Sequence, residues 1–314
     1  MFLGLDRHLR PIARLFARFP TLTMAAAPPP FKPFTLALIQ LGHVGDDKTA
    51  NLKHAREMIL KAAAGAESGS RPNLIVLPEV FNSPYGVSHF PKHAETIGFT
   101  PGQSFDASKS DSESVKMLSS TAKEIGTWLL GGSIPERTAD GKLYNSCTVY
   151  SPKGTSYDRI LHSQLTSFQE NLSLCIAKST CLTSISPDRL PSSEVLTGGS
   201  TMNFFDTEFA RIGLGICYDV RFPELAAVAA RQGCHMCIYP GAFNLTTGPL
   251  HWELLQRARA VDNQIFFSMC SPARNMTADY HAWGHTMVVD PMARVIAETQ
   301  HDEDILFAHI GKSL

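Results

Sequence analysis

Cys217 ends an apolar run, Arg211-Ile-Gly-Leu-Gly-Ile-Cys217, and is followed at once by Tyr218-Asp-Val-Arg-Phe-Pro-Glu-Leu225. The run reads as a buried strand, and Pro223 with Glu224 reads as a helix start leading into the Leu225–Arg231 stretch. A nucleophile suits such a corner, because strand carboxyl ends line the crevice of an α/β sheet and a helix N-terminus lowers a thiol pKa. An arbitrary cysteine is more often a packed core residue. Asp219, Arg221 and Glu224 argue otherwise here, since charges directly behind a buried strand are costly unless they line a cleft or form a network.

Two carboxylates occupy similar corners. The apolar run Pro72-Asn-Leu-Ile-Val-Leu-Pro78 ends at Glu79 and breaks into Phe81-Asn-Ser-Pro-Tyr85, while Thr127-Trp-Leu-Leu-Gly-Gly-Ser133 runs into Ile134-Pro135-Glu136. One Glu after a strand is ordinarily a solvated loop residue. A thiol and two such carboxylates form a constellation suited to nucleophilic chemistry.

The elements that must carry these groups alternate. Strands are expected at 34–40, 74–77, 128–134, 146–150, 212–217, 236–239, 265–270 and 286–289, and helices at 49–64, 114–125, 224–231 and 251–262. That order gives an α/β fold. With 314 residues, 44% of them hydrophobic, and 28 basic against 29 acidic side chains, the chain can bury a sizeable core in one domain or a tightly joined pair, and its charge gives no reason to bind nucleic acid. It has no uninterrupted apolar segment of about 18 residues, so no membrane span is expected. The seven cysteines are irregularly spaced and read as thiols. Cys234 and Cys237 form a C-x-x-C without a second pair, so no metal is expected there.

The segments Leu77-Pro-Glu79 and Gly213-Leu-Gly-Ile-Cys-Tyr-Asp-Val-Arg-Phe-Pro-Glu224 resemble the carboxylate and thiol motifs of the nitrilase superfamily of carbon–nitrogen hydrolases. Phe81–Tyr85, Leu143-Tyr-Asn-Ser146 and the long stretch Tyr239–Asn263 are similar to its omega-amidase branch, which hydrolyses the terminal amide of 2-oxoglutaramate and 2-oxosuccinamate. The resemblance covers residues 34–154 and 193–308. It implies a four-layer αββα sandwich of two mixed sheets, no cofactor, and a homodimer or larger homo-oligomer acting on a small amide. By the same resemblance Glu79 is the general base, Cys217 the nucleophile, and the Tyr218 backbone N–H part of the oxyanion site. Glu136 is implied to position a family lysine and the substrate amide, and Arg221 and Thr247 to hold the substrate's distal carboxylate. The plainer readings are an Arg221 ion pair with Asp219 or Glu224 and a turn shaped by Thr247; His251, Trp252, Arg257 and Arg259 read as packing and salt-bridge residues. Rival functions are an amidase for deaminated glutathione, a nitrilase, and a catalytically dead binding or oligomerisation module. A cysteine protease fits less well, since no His–Cys motif surrounds Cys217.

The family's lysine run, of the form Arg-Lys-Ile-His-Leu-Phe-Asp-Ile-Asp-Ile-Pro-Gly, is expected between Tyr150 and Glu194 and does not occur there. Reading the third base of each codon from Cys175 to Ser192 with the first two of the next permits His-Arg-Lys-Ile-His-Leu-Phe-Asp-Ile-Asp-Ile-Pro-Gly-Gln-Ile-Thr-Phe. Residues 155–174 therefore read as translated non-coding sequence and residues 175–192 as frame-shifted, so that 155–192 is foreign to the surrounding domain. A surface insertion with Lys178 as a substitute cation is the alternative, though a long structureless loop is unusual in a compact domain. Residues 1–33 read as a separate extension and linker: Arg7, Arg10, Arg14 and Arg18 at helical spacing with Asp6 as the one acid before Thr23 suggest a mitochondrial presequence, and Met24 a second start for a cytoplasmic form. The domain is expected over 34–308, with 309–314 a truncated or mis-assigned tail.

Overall fold

The computed structural model describes residues 26–66, 69–86, 88–99, 105–154 and 202–311, together with the backbone of 161–162. The first sheet has the order β12-β1-β2-β3-β4-β5, from β1 (Phe34–Gln40), β2 (Leu74–Val76), β3 (Trp128–Arg137), β4 (Leu143–Tyr150), β5 (Leu161–His162) and β12 (Asp304–Ile310). The second has the order β11-β10-β9-β8-β7-β6, from β6 (Asn203–Asp206), β7 (Arg211–Leu214), β8 (Met236–Pro240), β9 (Phe266–Cys270), β10 (Met287–Val289) and β11 (Val295–Glu298). Each is mixed: β1, β2 and β3 run parallel, as do β7, β8 and β9, and antiparallel strands flank both trios.

Alternation along the strands makes the layers. Successive strand side chains leave opposite faces, and Leu36, Leu38, Leu74, Val76 and Leu130 of the first sheet share one core with Ile212, Leu214, Met236, Ile238 and Val288 of the second. The intervening residues Ala37, Ile39, Ile75 and Leu129 pack outward against α1 (Lys48–Ala64) and α3 (Glu113–Ile125), which precede and follow a short α2 (Phe90–His93). Cys237, Tyr239, Phe267 and Met269 pack outward against α4 (Pro223–Arg231) and α5 (Gly248–Asn263). The result is the expected α/β sandwich of four layers, helix–sheet–sheet–helix, in which the inner strands β1, β2, β8 and β9 are buried on both faces and largely apolar.

Several boundaries differ from expectation for local reasons. β7 stops at Leu214, and a 3-10 turn over Cys217–Arg221 separates it from α4, because Asp219 turns back to accept a hydrogen bond from the Ile216 N–H through Oδ2 at 2.9 Å. β3 continues to Arg137, since its antiparallel pairing with β4 runs on to the Arg137–Leu143 pair, so Glu136 is a strand residue and does not follow the strand. β12 pairs with β1 along its whole length. Gln40, at the end of β1, joins the sheets. Its Oε1 accepts from Thr286 N, Thr286 Oγ1 and Thr299 Oγ1 at 2.9–3.0 Å, and its Nε2 donates to the carbonyls of Gln300 and Asp302.

At the amino end, Phe31 stacks on Phe266 and the Lys32 N–H donates to the Phe209 carbonyl at 2.9 Å. The presequence-like residues and Lys178 lie outside the described residues. Of 155–192, only the backbone of Leu161–His162 is described, paired with Ser146 and Cys147. Among the described residues no helix is long and apolar enough to cross a membrane.

Candidate active site

Glu79 follows β2, and Leu130 and Ser133 in the middle of β3 hold the backbone on both sides of it. Leu77 N donates to Leu130 O, Ser133 N to Pro78 O, Val80 N to Ser133 Oγ, and Phe81 N to Ser133 O, all at 3.0–3.3 Å. The strand pairing of β3 shifts between Leu130 and Ser133 to make room, and there Gly132 takes φ +63°. A Cβ on Gly132 would run into the Pro78 carbonyl, so this glycine is what lets β3 approach the peptide before the carboxylate. Val80 also has a positive φ, 51°, which for a β-branched residue signals a backbone held by its surroundings.

Cys217 opens the 3-10 turn with φ 46°, another left-handed conformation at a functional corner. Its Sγ lies 3.7 Å from the Ala242 carbonyl and 3.9 Å from the Tyr85 hydroxyl. Gly241, just past β8, permits this close approach: a Cβ there would sit 3.0 Å from Cys217 Cα. Burial first, and the adjacent Glu79 charge second, push the thiol well above its ordinary pKa. This overturns the expected depression by a helix N-terminus: α4 begins only at Pro223, and desolvation of the thiolate outweighs any pull from the intervening turn. The thiol is therefore protonated at rest and needs a base.

Glu79 is placed to be that base. Its carboxyl is 4% exposed, Oε1 accepts from Asn145 Nδ2 at 2.7 Å, and Oε2 is buried without a hydrogen-bond partner. Burial raises its pKa to about 7, with Cys217, Asn145 and Tyr85 pulling the other way. A base near neutrality matches the task.

Arg221 closes the turn that Cys217 opens. Its guanidinium lies 5.1 Å from the Tyr218 ring centroid and 4.7 Å from that of Phe243, the residue after Ala242. Its Nη1 meets His251 Nδ1 at 3.2 Å, while Nε is buried with no partner. The plainer reading, an Arg221 ion pair with Asp219 or Glu224, is not what forms, as Asp219 is turned to the Ile216 amide. Tyr218 N–H belongs to the first turn of this 3-10 segment, where amides lack an acceptor within the turn. Thr247 precedes α5; its N–H and Oγ1 donate to Asn244 Oδ1 at 2.8 and 3.0 Å, and its carbonyl accepts from His251 N. It thus shapes a turn and also shares the helix start that presents His251 to Arg221.

A carbon-nitrogen hydrolase family model matches residues 35–314. The chain belongs to the carbon–nitrogen hydrolase family. A Schizosaccharomyces pombe protein, hydrolase C26A3.11, is 47% identical over 287 residues, covering 91% of this chain and 79% of that one. Mouse omega-amidase NIT2 is 45% identical over 279 residues, 88% of each chain. The crystal structure of Saccharomyces cerevisiae Nit3, a member of branch 10 of the nitrilase superfamily, superposes with a TM-score of 0.74 at 37% identity, covering 91% of this chain and 93% of that one.

In this carbon–nitrogen hydrolase the second carboxylate stands apart from the first. Glu136 Oε2 accepts from Ser146 Oγ at 2.5 Å, and burial raises its pKa. Asn145, which reaches Glu79, and Ser146 are successive residues of β4, so their side chains leave opposite faces. Cys147 and Val149 belong to the core between the sheets, whereas Ile134 and Tyr150 belong to the helix side. Glu136 is therefore on the helix side.

Tyr85, Asn145 and Tyr280 escaped assignment from sequence, and His251, read there as a packing or salt-bridge residue, faces Arg221. Tyr85 and Tyr280 lie 4.3 Å apart by ring centroids, and the Tyr280 hydroxyl donates to the Ala242 carbonyl at 2.6 Å. A cavity of about 420 Å³ reaches Glu79 between His43, Tyr85, His89, Ala273 and Tyr280. The Phe81–Tyr85 and Leu143–Ser146 stretches carried the resemblance, which was the available signal for Tyr85 and Asn145; Tyr280 had none. Cys234 and Cys237 are buried beside α4.

Proposed function

We propose that this carbon–nitrogen hydrolase is an omega-amidase, cleaving the terminal amide of 2-oxo dicarboxylic acid monoamides such as 2-oxoglutaramate and 2-oxosuccinamate to the acid and ammonia. The observation that carries the reading is Arg221, a buried-edge guanidinium one turn from the nucleophile with Nε unpartnered. An amide with a carboxylate at its far end satisfies that edge by a bidentate bond. The relatives named omega-amidase support the same substrate class.

Glu79 takes the Cys217 proton as sulfur attacks the amide carbon, since a thiol with a raised pKa forms little free thiolate at neutral pH. The Tyr218 N–H and a lysine hold the oxyanion. Glu79 then protonates the departing ammonia and activates water against the thioester. Glu136 acts indirectly, through β4 and the lysine. Losing a lysine aimed at developing charge costs on the order of 10²-fold or more in rate, and in our reading the frame-corrected segment supplies it.

Ammonia release from 2-oxoglutaramate, from deaminated glutathione and from a simple nitrile by the full chain tests the assignment. Preference for the first is expected, with Cys217→Ala inactive; preference for either of the others replaces the reading. The absent lysine motif favours a second reading, a binding module without turnover, which an unreactive Cys217 toward a thiol trap would support. Exposed Leu250, Leu254 and Val261 fall on one face of α5, at 63%, 62% and 42% exposure, and support assembly into a homo-oligomer, to be measured by light scattering. The arginine pattern of residues 7–18 supports mitochondrial delivery and Met24 a cytoplasmic form, separable by imaging fusions begun at each methionine.

A further inference from the structure

Arg221 is held on three sides. Tyr218 and Phe243 present ring faces to the guanidinium at 5.1 and 4.7 Å, which fixes its plane, and His251 Nδ1 lies 3.2 Å from Nη1, which fixes its rotation within that plane. A guanidinium nitrogen only donates, so the imidazole nitrogen facing it must accept. His251 is accordingly neutral with its proton on Nε2. Burial and the Arg221 charge, in that order, push its pKa below the ordinary value and favour this form. The histidine reaches Arg221 because Gly248-Pro249 starts α5 and the His251 N–H closes the first turn on the Thr247 carbonyl at 2.9 Å.

Occupation of Nη1 has a directional consequence. The guanidinium fork that remains is the edge made by Nε and Nη2, and Nε is already desolvated and without a partner. Desolvating an N–H without a hydrogen bond is unfavourable, so the free state is costly along this one edge and a carboxylate docking side-on relieves it.

We propose that His251 is a positioning residue for substrate specificity: by capping Arg221 Nη1 it leaves the Nε/Nη2 edge as the one that receives an acid, so that the site selects amides whose far end is a carboxylate. This rests on the omega-amidase reading and adds to it the residue that aims the cation. A rim arginine free to rotate would bind the same acid less well and discriminate less, because several rotamers would compete with the productive one.

The test measures binding, so that turnover is not required. In full-length chain carrying Cys217→Ala, calorimetric titration compares 2-oxoglutaramate with its carboxyl methyl ester, which keeps the amide and removes the charge. His251→Phe keeps the ring and loses the acceptor. It is expected to weaken the acid by about tenfold, some 1.4 kcal/mol, and to leave the ester within about twofold. His251→Asn, whose Oδ1 can stand in for Nδ1, is expected to restore the acid to within about threefold of the parent. Arg221→Met, measured in parallel, is expected to abolish the preference for the acid. Loss of that preference in Arg221→Met with none in His251→Phe overturns the positioning role alone, and Arg221→Met that still prefers the acid overturns the carboxylate reading itself. Equal weakening of acid and ester by His251→Phe marks a structural role and also overturns the proposal; the ester affinity and melting temperature of each variant report whether it is folded.

Discussion

Glu79 faces two demands that conflict in energy. Its carboxyl is buried between the sheets, which favours the protonated form, yet proton abstraction from Cys217 needs the ionised form. With a pKa of about 7 the activity is expected to fall as pH drops through that value, and kcat/KM measured against pH checks it. The sign for stability is the reverse of the common carboxylate case. A folded-state pKa raised above the ordinary 4.5 means that the group's favourable contribution is complete below 4.5 and is lost as pH rises through about 7. Glu79→Gln, a neutral isostere, should therefore lose about 10²- to 10⁴-fold in rate while melting higher than the parent above pH 7. The gain in melting temperature should shrink toward pH 4.5. A variant that melts lower at pH 8 would show that Oε2 has a charged-state partner that the buried geometry hides.

At the level of elements, β4 divides the two carboxylates between faces. Asn145 donates to Glu79 and stabilises its ionised form, whereas Ser146 serves Glu136 on the helix side. Replacing Asn145 with Leu removes a donor that lowers the Glu79 pKa, so the acid limb of the pH profile should move to higher pH. Glu136→Gln should leave that limb in place and lower the rate less than Glu79→Gln; a shifted limb in Glu136→Gln would place its charge beside Glu79 after all. The sheets depend on Gln40 in a similar all-or-none way. Gln40→Leu takes the acceptor from the Thr286 N–H and the donor from the Asp302 carbonyl at the seam, while Thr286 Oγ1, Thr299 Oγ1 and the Gln300 carbonyl keep other partners, and urea denaturation is expected to show a loss of about 2 kcal/mol or more, because unsatisfied buried groups each cost about 1–3 kcal/mol.

For the whole molecule the decisive test is the 155–192 segment. Replacing residues 155–192 with the frame-shifted reading restores a patterned strand, a Pro-Gly turn and a lysine, and ammonia release from 2-oxoglutaramate should rise by about 10²-fold or more over the unaltered chain. Equal rates would mean that Lys178 or another cation already serves the oxyanion. The sequence by itself determined a good deal here. Apolar runs buried on both faces and punctuated by helix periodicity were enough for α/β, and motifs around Glu79 and Cys217 located the acid and the thiol at strand ends, because strand and helix periods and short motifs are local properties of a chain. Three things were decided only by tertiary structure. The thiol pKa rises because desolvation depends on what packs over Cys217, and not on the helix that follows it. Glu136 was grouped with Glu79 by a shared strand-end pattern, but the alternation of β4 and the shift in β3 put it on the other face. His251 comes to Arg221 from 30 positions away in sequence, a contact that the meeting of a 3-10 turn with a distant helix start creates and that no local period encodes.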